Sequence, residues 1–315
     1  MPATNPSANP VRDMQERFNL STRSHWQHFA AHREQVEQLL LPDCSHPAGR
    51  VCVLGAGNCN DLDLCRLAGR FEEIHLVDLD PSAIAQAVRR QGVEGSPKIR
   101  LHAPVDLTGV AEALGSWRGR TPTSGEIASV IRRASAAPHP PLGGPFDVVL
   151  SPCILSQIVG YARDTLGRSH ARCADLRVAV RQRHLRLIVD LLTPGGSGLI
   201  VSDLATAGSA QALAGPAAGS SPALVGVMKK LINRRDTFAG LDPDSLQAGL
   251  RNDPRVGPLV GDIQFIRPWL WTLGPEKAFL VYAIRLRRAR GTLLIEPGVT
   301  LAAGGRSRAP TNLES

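Results

Sequence analysis

The sequence predicts an α/β protein built on a doubly wound, mostly parallel seven-stranded sheet with a C-terminal antiparallel hairpin strand. Three observations carry this. Short β-branched apolar runs alternate with segments of helical period, which gives parallel strands joined by right-handed crossovers. The first run ends on two glycines and the second on an aspartate, the marks of a sheet whose strand tips hold a ligand. Near the C-terminus the alternation stops. Two long apolar runs follow one another across a short turn, so one strand must insert antiparallel near the sheet edge.

Taken in order, residues 1–12 are polar and expected to be a disordered tail, without the charged-then-apolar layout of a signal peptide. Residues 13–47 read as a helical extension, in which Trp26, Phe29, Val36, Leu39 and Leu40 recur at helical spacing until Pro42. The sheet domain is expected over 48–290, with its first strand at 50–54. A helix over 60–67 follows, capped by Asn58 or Asn60. The second strand is 73–77, and the helix 81–90 behind it starts with Asp80 as cap and Pro81 as first residue. A third strand at 98–103 and a helix at 106–114 come next. Residues 115–145 break the rhythm and read as a flexible insertion with a helical turn at 126–133. The fourth strand is 146–150. The long amphipathic helix 176–192 is stopped by Pro194, Gly195 and Gly196, and the fifth strand is 198–201. Residues 205–222 read as a second flexible insertion. A helix at 244–250 precedes the hairpin strands 263–272 and 278–286, and 291–315 is expected to be a largely disordered tail.

Composition narrows the partners. The 315 residues carry a formal net charge of +8, but the cations are scattered arginines, with lysine only at Lys98, Lys229, Lys230 and Lys277. The densest cluster is Arg285, Arg287, Arg288 and Arg290. A diffuse bias of this kind speaks for solubility rather than for a nucleic-acid partner. No apolar run reaches the roughly 18 to 20 residues that span a bilayer, so no membrane is expected. The six cysteines form no C-x-x-C pair and no zinc-site spacing, so no metal is expected and a reduced, cytoplasmic chain fits.

The chemistry concentrates where the first strand runs into Gly55-Ala56-Gly57-Asn58-Cys59-Asn60-Asp61. Two glycines at a strand end permit a tight turn and let a ligand approach the backbone. Asp78, followed by Leu79, lies at the tip of the second strand, about twenty residues on, where a carboxylate reaches a ribose diol. A dinucleotide or S-adenosyl-L-methionine would suit. The dinucleotide fingerprint wants glycine at the sixth position of the turn, and here that position is Asn60, which counts against NAD.

At this point the chain resembles the class I, Rossmann-like S-adenosylmethionine-dependent methyltransferases. Further segments agree: Leu101 to Leu107 with Asp106, Phe146 to Ser151, Leu191 to Gly196 running into Leu199 to Asp203, and the closing hairpin. The resemblance implies S-adenosyl-L-methionine as cofactor, held by Gly55, Ala56, Gly57, Asn58, Asn60, Asp78, Leu79, Asp106, Leu107 and Ser151. It implies methyl transfer to a small-molecule acceptor facing Cys153, Ser156 and Gln157. The chain departs from the family at Val53, where many members carry an acid, and at Cys59, where many carry a third glycine. Asn58, Asn60 or Asp61 would then serve the amino-acid end of the cofactor.

Each of these residues also has a structural reading. Gly55 and Gly57 would otherwise be an ordinary strand-to-helix turn, and Asp106 is either an adenine contact or a helix cap. Asp80 is expected to cap, Asp147 to start its strand and Asp203 to cap. Trp269 and Trp271 share a strand face and are expected to pack, with an aromatic wall for an acceptor as the alternative. Methyl transfer from a sulfonium needs positioning rather than a nucleophile. Should the acceptor have to lose a proton, His25, His28, Tyr161 or His184 could take it. A catalytically silent cofactor-binding module, an NAD-dependent oxidoreductase and an aminopropyltransferase remain as alternatives.

Overall fold

The computed structural model describes residues 10–40, 48–136, 138–208, 210–214 and 221–291. Two helices, α1 (Pro10–Thr22) and α2 (Ala30–Leu40), precede the sheet. Strand β1 (Ala48–Leu54) leads to α3 (Leu64–Ala68), and β2 (Phe71–Val77) to α4 (Pro81–Arg90). Next, β3 (Ile99–His102) is followed by α5 (Ala111–Gly115) and α6 (Ser124–Ala136), and β4 (Phe146–Pro152) by α7 (Leu155–Leu166) and α8 (Cys173–Leu191). After β5 (Leu192–Ala207) come α9 (Ala210–Ala214), α10 (Ser221–Arg234) and α11 (Pro243–Arg251). The described chain closes on β6 (Val260–Thr272) and β7 (Ala278–Arg288). Among the described residues no helix is long and apolar enough to cross a membrane.

The seven strands lie in the order β3-β2-β1-β4-β5-β7-β6. β1 to β5 pair in parallel, and β7 inserts antiparallel between β5 and β6. This is the mostly parallel, hairpin-closed sheet that the sequence predicts. The chain builds outward from β1 to β3 and then returns to build the other way from β4. The strand order therefore reverses between β1 and β4, and there a crevice opens at the carboxyl ends of the strands.

Both faces of the sheet are covered, which is why its inner strands read as unbroken apolar runs. Along β1, Val51 and Val53 enter one core with α2, α3 and α4. Cys52 and Leu54 enter the other, with helices from α5 to α11. Capping fixes where helices begin. Asp80 Oδ1 accepts from the Ser82 and Ala83 amides and Pro81 opens α4, whose Ala83, Ile84, Ala87 and Val88 face the core. A cap of this kind stabilises by about 1 kcal/mol.

Several elements differ from the sequence expectation. The helix after β1 starts at Leu64 and is capped by Asp63, not by Asn58 or Asn60. α1 begins inside the segment expected to be disordered, and the extension is two helices with a bend between them. Segment 115–145 is no mere loop: α6 buries Ile127, Val130 and Ala134 against α8. β5 is four times longer than the expected 198–201, because its register with β7 runs on to Ala207 opposite Ala278. α7 and α10 were not expected. Residues 215–220 of the second insertion, 1–9 of the N-terminal tail, 292–315 of the C-terminal tail and Pro42 lie outside the described residues.

Candidate functional site

The turn after β1 is built by backbone conformations that only particular residues adopt. Gly55 has φ +81° and Gly57 φ +48°, and the Gly55 and Ala56 amides both donate to the Val77 carbonyl, at 2.8 and 3.0 Å. A Cβ on Gly55 would lie 2.6 Å from Ile154 Cγ1, so the turn is pressed against the exit of β4. Cys59 also sits in the left-handed region, at φ +47°. This is the position where the family resemblance leads one to expect glycine, and the backbone shows why glycine suits it.

Asp78 ties this turn to the tip of β2. Its Oδ2 accepts from the Gly57 amide at 2.7 Å and its Oδ1 from the Asp80 amide at 2.8 Å. Burial pushes the carboxyl up to about 6, and the two backbone bonds pull the other way. Leu79, Asp106, Leu107 and Tyr161 surround the outer side of Asp78 in a small chamber of about 30 Å³. Asp106 spends its oxygens locally. Oδ1 accepts from the Thr108 amide and hydroxyl, and Oδ2 from the Ala111 amide that opens α5.

A larger cavity of about 270 Å³ lies over Gly55, Ala56 and Gly57 at the crevice between β1 and β4. Cys153, Ser156 and Gln157 line it from the start of α7, and Asp203 lines it from β5. Cys153 holds a φ of +47°, and burial raises its thiol so far that it stays protonated. It is a wall, not a nucleophile. Asp203 is buried, its Oδ1 has no partner among the described residues, and burial pushes its carboxyl up to about 6 against a hydrogen bond from Ser156.

Helix α1 covers both chambers, and Gln15 lines each of them. Asn58 Nδ2 donates to the Asn19 carbonyl at 2.6 Å and to Thr22 Oγ1 at 3.1 Å, and Asn60 Nδ2 donates to the Thr22 carbonyl at 2.9 Å. Asn19 Nδ2 donates to Asp80 Oδ2 at 3.0 Å, and the Tyr161 hydroxyl donates to Gln15 Oε1. Asn58 and Asn60, expected at a ligand, line the larger cavity while their side-chain amide nitrogens grip α1. Ser151 lies elsewhere. It is fully buried, pairs with His184 Nε2 at 2.8 Å and lines neither chamber. Of the candidate bases, His184 is sealed in the core, with its pKa lowered to about 3 by burial, and Tyr161 is raised by burial. His25 and His28 line neither chamber.

Sequence reasoning missed Gln15, Asn19 and Thr22. Their signal was their spacing: with Val11 they fall four, four and three residues apart on one helical face, and all four are buried. It favoured a cap for Asp203 and core packing for Trp271 over a ligand contact and an aromatic wall, and both residues line the cavity.

No protein-family model matches this chain, and no curated protein matches it. Among solved structures it is similar to the N-methyltransferase NodS from Bradyrhizobium japonicum WM9, in complex with S-adenosyl-l-homocysteine. The identity is 11%, over 83% of this chain and 87% of that one, with a TM-score of 0.41. It is similar to a protein solved for the conversion of a disulfide bond into a thioacetal group during echinomycin biosynthesis, with 16% identity, coverage of 89% and 94%, and a TM-score of 0.43. An O-methyltransferase family protein from Burkholderia thailandensis is similar at 14% identity, with coverage of 88% and 60% and a TM-score of 0.43. At these identities and scores the likenesses add nothing to what strand order and local geometry already show.

Proposed function

We propose that this protein transfers a methyl group from S-adenosyl-L-methionine to a small-molecule acceptor by in-line displacement. The observation that carries the reading is the buried Asp78 carboxylate at the tip of β2, bonded to the Gly57 amide beside an open cavity at the strand-order reversal. That is where doubly wound sheets take a ribose-bearing ligand.

The residues present fit this cofactor better than a dinucleotide. A pyrophosphate needs a bare helix N-terminus next to the turn. Here the next helix begins only at Leu64, and its first turn is already capped by the Asp63 carboxylate. Asp61 adds a second acid in the cavity itself. A zwitterionic amino acid tolerates these carboxylates and a diphosphate does not. In this reading the backbone of Gly55, Ala56 and Gly57 holds the amino-acid end and Asp78 the ribose. Leu79, Asp106 and Leu107 flank the base. Val11 and Gln15 of α1 line the small chamber beside them, so this reading requires α1 to move for a base to enter.

When bound, the cofactor supplies a methyl group on a sulfonium, which is electrophilic without further activation. The protein's part is to position. Cys153, Ser156 and Gln157 form the acceptor side of the cavity, and α1 shields the turn from water. The test is parallel calorimetric titration of the full chain with S-adenosylmethionine, S-adenosylhomocysteine and NAD. Saturable binding of the first two and not of NAD is expected. Binding of NAD alone, or of none of the three, sinks the reading.

A further inference from the structure

The unsatisfied polar atoms of the main cavity are mostly of one kind. Among the described residues that line it, Asn60 Oδ1, Gln157 Oε1 and Asp203 Oδ1 are buried acceptors without a hydrogen-bond partner, while Asp61 Oδ1 faces His32 Nε2 at 3.3 Å. The unpartnered donors are Trp271 Nε1 and Arg177 Nε. A buried carboxylate oxygen left without a partner, as Asp203 Oδ1 is, is costly and calls for a cationic donor. An ammonium offers three donors and no acceptor, whereas a hydroxyl or thiol offers one. The apolar wall agrees. Trp271 stacks on Phe279 at 4.8 Å and on His32 at 4.5 Å and meets the Phe29 ring at 4.7 Å, a packed apolar wall for the body of an acceptor.

We propose that this cavity takes the methyl acceptor as a protonated monoamine, its ammonium held by Asp203 and its apolar body against Phe29, Trp271 and Phe279. The inference rests on the methyl-transfer reading and names the acceptor class for it. The other charged groups near Asp203 shape the choice. From α2, His32 Nε2 stands 3.3 Å from Asp61 Oδ1. Lys277 is exposed over the Phe279 ring, Arg163 is held by Asp164, and Arg177 is half-buried on α8. A second ammonium at the far end of the acceptor would meet Lys277, Arg163 and Arg177, which disfavours diamines. An amine nitrogen must lose a proton before it can attack. Its N–H bond breaks, the electron pair stays on nitrogen, and the Asp203 carboxylate, pushed up to about 6, becomes the acid.

The test titrates the full chain at pH 7.5 with 2-phenylethylamine, 2-phenylethanol and 1,4-diaminobutane, each with and without S-adenosylhomocysteine. The monoamine is expected to bind about tenfold or more tighter than the alcohol and the diamine. Asp203→Asn, with its fold checked by thermal melting, is expected to lose about tenfold in amine affinity. Wild-type affinity should also fall as pH drops through about 6, which needs no variant. Equal binding of alcohol and amine, no amine binding at millimolar concentration, or an unchanged amine affinity in Asp203→Asn overturns the inference. S-adenosylhomocysteine binding without amine selectivity removes this inference alone. Amine selectivity without S-adenosylhomocysteine binding keeps the amine site and removes methyl transfer.

Discussion

Asn19 bridges the tip of β2 and the turn after β1: its amide nitrogen donates to Asp80 Oδ2 at 3.0 Å while its Oδ1 stands 3.0 Å from where a Gly57 Cβ would be. It therefore sits over the turn that should receive the cofactor. On the proposed function, a ligand at this turn competes with the contacts Asn19 makes there. Asn19→Ala removes one buried hydrogen bond worth about 0.5–1.5 kcal/mol. S-adenosylhomocysteine is then expected to associate roughly 2- to 10-fold faster in stopped-flow measurements. An unchanged association rate would show that α1 does not gate the site.

Gly55→Ala tests the turn itself. The residue has φ +81°, and an added methyl would meet Ile154 at 2.6 Å. Left-handed strain and the clash together should destabilise the protein by about 1–3 kcal/mol in denaturant unfolding. Gly92→Ala, also at positive φ but with open space around it, should cost less. Equal costs at the two positions would mean that the contact with Ile154 is not what demands glycine at residue 55.

These two residues also mark what the sequence could and could not disclose. Gly55, Gly57 and Asp78 stood out because a tight turn and a strand-tip carboxylate have fixed spacing in a parallel sheet. Asn58 and Asn60 carried no local sign that their amides hold α1, since their partners lie 36 to 39 residues away. The α7 pattern was present, with Leu155, Ile158, Val159, Ala162 and Leu166 on one face, but it follows directly on a strand and was absorbed into that strand's tip. α6 was legible only as a turn at 126–133, because glycines and prolines on either side of it hide its full length. Asp203 reads as a helix cap by position, and only the length of β5 and the lack of a partner for its Oδ1 mark it otherwise.

Ser151→Ala separates the sheet from the site. The Ser151 hydroxyl is the partner of His184 Nε2, and His184 Nδ1 is buried with none. Removing the hydroxyl leaves a fully buried imidazole unsatisfied, at a cost of about 1–3 kcal/mol. Since Ser151 lines neither chamber, S-adenosylhomocysteine affinity should not change. A loss of affinity without loss of stability would return Ser151 to the cofactor.

Asp203 gives the clearest pH signature. Its folded pKa of about 6 lies above the unfolded value near 3.9, so the folded state binds more protons between the two. Stability associated with this group therefore falls as pH rises from about 4 to 6, and the full cost of the buried charge is present above that. Asp78, also raised to about 6, acts with the same sign. His184, lowered to about 3, acts in the opposite sense, because its unfolded form takes up a proton as pH drops below 6.5. The comparison must accordingly be made between wild type and Asp203→Asn at each pH. The variant is expected to be more stable at pH 7.5 by about 1–3 kcal/mol, with the gap closing toward pH 4. A saturating monoamine should shrink the gap by pairing the charge in the wild type alone. If the two proteins unfold with the same free energy at every pH, Asp203 has found a partner in solution and the cavity does not hold an unpaired carboxylate.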